Sequence, residues 1–126
     1  MRAVDTNVLV RLLTRDDPKQ AAAAEAFVRY GAWVSVLALA EAMWVLATVY
    51  ERNAAQVARA VEMLLNHEHL SLQEPEAVAA ALAAFRHRPS VGFSDCLLVE
   101  LARKAGHLPL GTLDRDLARL DGTQRL

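Results

Sequence analysis

The stretch that decides the fold is Arg2-Ala-Val-Asp-Thr-Asn-Val-Leu-Val-Arg-Leu-Leu13. It opens with a short apolar run, Arg2 to Val4, which reads as a strand. An acid, Asp5, ends the run. Apolar residues then recur at helical spacing, which predicts a short helix over Asn7 to Leu13. A strand that gives way at once to a helix is the start of a βαβ unit, and the rest of the chain continues the alternation. Asp17-Pro18 starts a second helix, with Asp17 as N-cap and Pro18 in its first turn, running through Ala21 to Ala24 to about Tyr30. Ala32 to Val34 reads as a strand, Leu37 to Tyr50 as a long apolar helix and Ala54 to Asn66 as an amphipathic one. His69 to Leu72, Leu108 to Gly111 and Thr123 to Leu126 read as strands. Pro75 to Arg86, Ser94 to Ala105 and a short segment at Leu113 to Leu117 read as helices, with Gly106 stopping the one before it. The class is α/β with short, mostly parallel strands in a central sheet.

The 126 residues suit one domain, 1–126, and contain no repeat, charge block or Pro/Gly/Ser linker. Apolar residues make up 54% and charged residues 23%, which excludes a disordered chain. The single cysteine, Cys96, excludes an internal disulfide framework and a Cys-rich zinc module, and reads as a small buried residue. The most apolar segment, Trp33 to Tyr50, is interrupted by Ser35, Glu41 and Thr48, so no membrane span is expected. The N-terminus, with an acid at position 5, does not read as a signal peptide, and a cytoplasmic location is expected. Trp33, Met43, Trp44 and Tyr50 are expected in the core or at a partner face.

Four acids lie where solvated carboxylates are not expected. Asp5 ends the first strand. Glu41 sits inside Leu37-Ala-Leu-Ala-Glu-Ala-Met-Trp-Val-Leu46 and is expected on the inner face of a packed helix. Asp95 opens the helix Ser94 to Ala105, and Asp114 follows the strand Leu108 to Gly111. In parallel α/β sheets, functional groups gather at the carboxyl ends of strands. Two carboxylates about 5 Å apart repel by about 3 kcal/mol at an effective dielectric of about 20. A cluster of four would therefore hold protons or bind a hard cation such as Mg²⁺ or Mn²⁺. The competing reading is structural: Asp5, Asp95 and Asp114 also suit helix N-caps, and Glu41 suits a buried ion pair with a distant Arg. His67-Glu-His69 offers no third ligand nearby and reads as the end of a helix and the start of a strand.

With these residues in order, the chain resembles the PIN-domain nucleases and, within them, the VapC-type toxins of toxin–antitoxin pairs. Val4 to Leu13 with Asp16-Asp-Pro18 resembles the first motif, and Val36 to Glu41 with Trp44-Val-Leu46 the second. Gly92-Phe-Ser-Asp-Cys-Leu-Leu98 resembles the third, and Thr112-Leu-Asp-Arg-Asp-Leu117 the fourth. The likeness runs from end to end, with one departure: Gly92 stands where the family often carries a further Asp.

The resemblance implies a three-layer α/β/α PIN-like domain and an Mg²⁺- or Mn²⁺-dependent endoribonuclease in which activated water attacks an RNA phosphodiester in line. It implies that Asp5 and Asp95 are principal metal ligands, that Glu41 and Asp114 complete the acidic cluster, and that Asp116 is a secondary acid. Thr6, Asn7 and Thr112 would orient acids or waters. Arg11, Arg15, Arg86, Arg88 and Arg115 are candidate RNA-facing bases, with His87 a further one. A structured RNA such as tRNA or rRNA as substrate, a cognate antitoxin and a homodimer are the implied partners. The net charge of −1 weighs against nucleic acid, but with the four acids set aside the remainder is +3. A different class remains open, a non-catalytic PIN-like module that binds RNA or protein. Phosphatase and receiver-domain readings fare worse, because Asn7 stands where the former wants a second Asp and the only lysines are Lys19 and Lys104.

Overall fold

The computed structural model describes all residues, 1–126. The chain divides into two compact units, Met1–Pro75 and Glu76–Leu126.

The first unit contains β1 (Arg2–Ala3), α1 (Thr6–Thr14), α2 (Pro18–Val28), β2 (Ala32–Val34), α3 (Val36–Thr48), α4 (Ala54–Leu65) and β3 (Leu70–Leu72). Its sheet runs β1-β2-β3 and is parallel throughout, with Arg2 opposite Ala32, and Ala32 and Val34 opposite Leu70 and Leu72. Each parallel step needs a helical crossover. Here α1 and α2 supply the first and α3 and α4 the second.

Side-chain caps set the helix starts. The Asp17 carboxylate accepts from the N–H of Gln20 with Pro18 in the first turn, and the Ser35 hydroxyl accepts from the N–H of Ala38. Asn53 and Gln56 form a reciprocal capping box at α4. The core is aliphatic: Leu9, Ala42 and Val61 are fully buried, and Val28, Val34, Leu39, Met43 and Leu64 almost so. Arg2 ties β1 to α2 by stacking its guanidinium on Phe27 and donating to the Phe27 carbonyl.

The second unit contains α5 (Pro75–His87, beginning at the boundary residue), a 3-10 turn at Pro89–Val91, α6 (Phe93–Ala105), β4 (Leu110–Thr112), a 3-10 turn at Leu117–Arg119 and β5 (Thr123–Arg125). β4 and β5 are parallel, with Gly111 opposite Gln124. Phe85 of α5 meets Phe93 of α6 edge to face at 6.1 Å. Gly106, with φ of 82°, closes α6 in the left-handed conformation that glycine adopts without steric cost.

Three expectations change. The helix expected at Leu113 to Leu117 is instead a turn, in which the Asp114 carboxylate takes the N–H groups of Asp116 and Leu117, followed by the 3-10 turn. Trp33 and Trp44 are not core residues; Trp44 is 62% exposed, on a helix face with Leu37 and Glu41, while Met43 is buried. The strands, all parallel, form a three-stranded and a two-stranded sheet. Six helices with short parallel strands fit the three-layer α/β/α class. No helix is long and apolar enough to cross a membrane.

Leu9 is fully buried on α1. Leu9→Ala is expected to cost about 2–5 kcal/mol, read as a lower urea midpoint with an unchanged slope.

Candidate functional site

In the first unit the acids are placed by α1 and α3. Asp5 leaves the end of β1 and becomes the N-cap of α1, where its Oδ1 accepts from the Val8 N–H at 3.1 Å. The next residue, Thr6, donates its hydroxyl to Glu41 Oε2 at 2.9 Å, so Glu41 is held beside the start of α1. Glu41 is exposed, not on the inner face of α3. The buried positions of that helix are Ala38, Leu39, Ala42, Met43 and Leu46, which turns residue 41 outward. It therefore needs no buried ion pair. Asn7 is exposed in the first turn of α1.

In the second unit, Asp114 follows β4. Its N–H donates to the Thr112 hydroxyl at 3.0 Å, and its Oδ1 accepts from the N–H groups of Asp116 at 2.7 Å and Leu117 at 3.1 Å. Thr112 is the one buried polar residue, at 9% exposure. Asp95 is half-buried in the first turn of α6. It is not the N-cap, a position taken by Gly92 without a side-chain bond. Burial raises the Asp95 pKa above the ordinary carboxylate range, and the Asp114 charge raises it further. These two acids therefore sense one another. The adjacent Cys96 is buried, and its thiol is pushed up to about 11 by burial and by neighbouring acids, which keeps it unreactive. Asp116 is exposed, and its backbone serves the Asp114 turn.

Asp5, Glu41 and Asp114 share one design. Each commits one carboxylate oxygen to a hydrogen bond that orients the group, and the other oxygen has no hydrogen bond within the protein. None of the four acids has an ion-pair partner. The donor set is all hard oxygen, the kind that suits Mg²⁺ or Mn²⁺. No group of three or more His, Cys, Asp or Glu side chains able to hold a metal ion is formed. Mg²⁺ is nonetheless commonly held by one or two carboxylates plus water and substrate phosphate, so oriented carboxylates in small number fit it.

Gly92 has φ of 90° and ψ of 146°, a region essentially reserved for glycine. The space around it is open, with nothing within 4 Å of where a Cβ would stand. The backbone therefore selects glycine over an acid here. His67 and His69 form a local pair in which His67 Nδ1 accepts from the His69 N–H at 3.1 Å.

The bases differ in their engagements. The Arg11 guanidinium is held by Asp16, Tyr50 and Gln20, and Arg15 is paired with Glu25. Arg86, Arg88 and Arg115 are exposed. No motif signals the Arg11 network, whose members are far apart in the chain. Tyr50 donates its hydroxyl to Asp16 Oδ2 at 2.7 Å, and Thr14 donates to Asp16 Oδ1 at 2.8 Å. Chiefly through the Tyr50 bond, the Asp16 carboxyl is held below its ordinary pKa.

A family model described as PIN domain matches residues 2–123. Comparison with curated proteins found no match, and comparison with solved structures found none either.

Two outcomes are expected. A lowered folded pKa at Asp16 gives stability that is present above the unfolded value and lost as pH falls through the folded one. Tyr50→Phe should raise the Asp16 pKa in a carboxyl NMR titration and shrink that acid-side loss. Gly92→Asp should cost about 1–3 kcal/mol in urea unfolding, because its backbone must leave or strain a glycine-only region.

Proposed function

The chain belongs to the PIN domain family, a nuclease-type fold, and on that premise we propose that it is an Mg²⁺- or Mn²⁺-dependent endoribonuclease acting as one domain over residues 1–126. The observation that carries the reading is the set of oriented carboxylates, each with one oxygen uncommitted, at the carboxyl ends of parallel strands and the elements beside them. Carboxylates that ligate a metal are themselves held by hydrogen bonds, and Thr6, the Val8 N–H and the Asp116 and Leu117 N–H groups play that part here.

In this reading Asp5 and Asp95 are the principal ligands, with Glu41 and Asp114 completing the acidic set and Asp116 a secondary member. The bound cation would neutralise phosphoryl charge and lower the pKa of an attacking water. The protein's own contribution is orientation. The cap bond fixes Asp5 at the head of α1, Thr6 aims Glu41, and the Thr112–Asp114 turn aims Asp114. Asp95, already disfavoured as an anion by burial and by Asp114, gains most from a cation beside it.

The finer role we propose is that of a VapC-type toxin, a homodimer in the cytoplasm that cleaves a structured RNA such as tRNA or rRNA and is inhibited by a cognate antitoxin. Sequence motifs support this role. Of the candidate RNA-facing bases, Arg88 and Arg115 have no ion pair, Arg86 is exposed, and Arg11 and Arg15 are held by acids.

The test is incubation of the purified protein with mixed tRNA and rRNA, with Mg²⁺ or Mn²⁺ and with EDTA. Discrete cleavage that needs the ion and is lost in Asp5→Ala is expected. Thr6→Val should retain the fold and lose about 10–100-fold in activity or metal affinity. Growth arrest on expression, absent for Asp5→Ala, is expected for a toxin. A protein that neither cleaves RNA nor binds divalent ions would instead be a PIN-like binding module.

A further inference from the structure

A second feature lies wholly within the first unit. Leu13 at the end of α1, Leu46 of α3, Arg52, and Gln56, Arg59, Ala60 and Met63 of α4 line a pocket of about 200 Å³. Asp5 caps the opposite end of α1, and the nine residues of that helix, at about 1.5 Å each, separate the two ends by about 13 Å. The pocket is thus a different place from the acids, and its ligand chemistry is independent of the nuclease reading.

Its charged lining is two guanidiniums, which offer only donors. Arg52 and Arg59 carry no acceptor atom, and no ion pair or side-chain hydrogen bond engages either guanidinium. Gln56 Oε1 takes the Asn53 N–H at 2.9 Å, which orients the amide, and its NH₂ adds two further donors. No carboxylate lines the pocket. Arg52 is fixed at its backbone, where its N–H donates to the Leu46 carbonyl at 2.9 Å. The rest of the lining is apolar. Leu46 and Ala60 are buried, Leu13 is half-buried, and Met63 is 54% exposed and adaptable in shape.

We propose that this pocket binds a small phosphate monoester that carries one apolar or aromatic ring. A site lined by two unpaired guanidiniums and no carboxylate selects an acceptor-rich anion. Two guanidiniums match the charge of about −1.5 to −2 that a phosphate monoester carries at neutral pH, whereas a carboxylate brings one charge. Leu13, Leu46 and Met63 supply a surface for the ring. The volume falls below the roughly 300–1,000 Å³ of drug-sized sites, which limits the ligand to about one ring beyond the phosphate.

The experiment is an NMR titration of the intact protein with phenyl phosphate, inorganic phosphate and benzoate at about 0.15 M salt, where surface charge is screened beyond about 8 Å. Phenyl phosphate is expected to saturate with a Kd of about 1 mM or tighter and to bind about tenfold more tightly than the other two. It should move the Met63 methyl and the Arg52 and Arg59 Nε–H signals. Arg52→Gln and Arg59→Gln, both at exposed positions, should each keep the spectrum of the folded protein and weaken binding about tenfold, while Arg29→Gln leaves it unchanged. Benzoate binding as tightly as phenyl phosphate would overturn the phosphate assignment. Inorganic phosphate doing so would overturn the ring. Shifts that miss Met63, or that survive both arginine substitutions, would overturn the site, and the absence of saturation would overturn the proposal outright.

Discussion

The packing of α1 against α3 is the constraint on which the first unit depends. α1 has only nine residues, too few to persist as an isolated helix, so its existence rests on burying Leu9 and Val10. α3 meets this need with a buried face of Ala38, Leu39, Ala42, Met43 and Leu46, where two alanines allow close approach. Polar links then close the pair at both ends. Thr6 reaches Glu41 at the head of α1, and Arg11 reaches Tyr50, just beyond α3, near its tail. Apolar burial supplies the stability, and the end links fix the register in which Glu41 stands beside Asp5 and Thr6.

A related constraint governs the acids. Capping a helix or closing a turn uses one oxygen of a carboxylate and fixes the direction of the other. Asp5 and Asp114 each have a structural part that leaves one oxygen uncommitted, so the capping reading and the proposed metal-binding one are not exclusive. Asp95 is the exception, since it caps nothing and burial disfavours its charge. Its place in the first turn of α6 favours a negative charge through the helix dipole, and the proposed cation would favour it further.

The elements are legible where local chemistry decides them. Asp17-Pro18, Gly106 and the period of α4 place their helix ends within a residue or two, because caps and amphipathicity act over a few positions. The exposure of Glu41 is not legible, because α3 is apolar on nearly every side, with Leu37, Trp44 and Val45 outside its buried set. A helix of this kind carries no periodic contrast from which to read its inner face. The segment after β4 reads as a helix because Asp114, Asp116 and Leu117 can satisfy one another by a side-chain turn as readily as by helical bonds. The Arg11, Asp16, Gln20 and Tyr50 network is illegible because it joins positions up to 39 residues apart.

Charge distribution is where structure departs furthest from composition. A count of bases treats each guanidinium alike, but a paired one has exchanged its field and its donors for a local role. Arg11 and Arg15, the first bases the motifs point to, are held by Asp16 and Glu25 and serve to fasten α1 and α2 together. Arg52 and Arg59, which stand in no motif, keep their donors uncommitted. An anion approaching the first unit therefore meets free charge at Arg52 and Arg59, as it does at Lys19 and Arg29, but not at Arg11 or Arg15. The net charge of −1 conceals this, because it sums neutralised and available groups without distinguishing them.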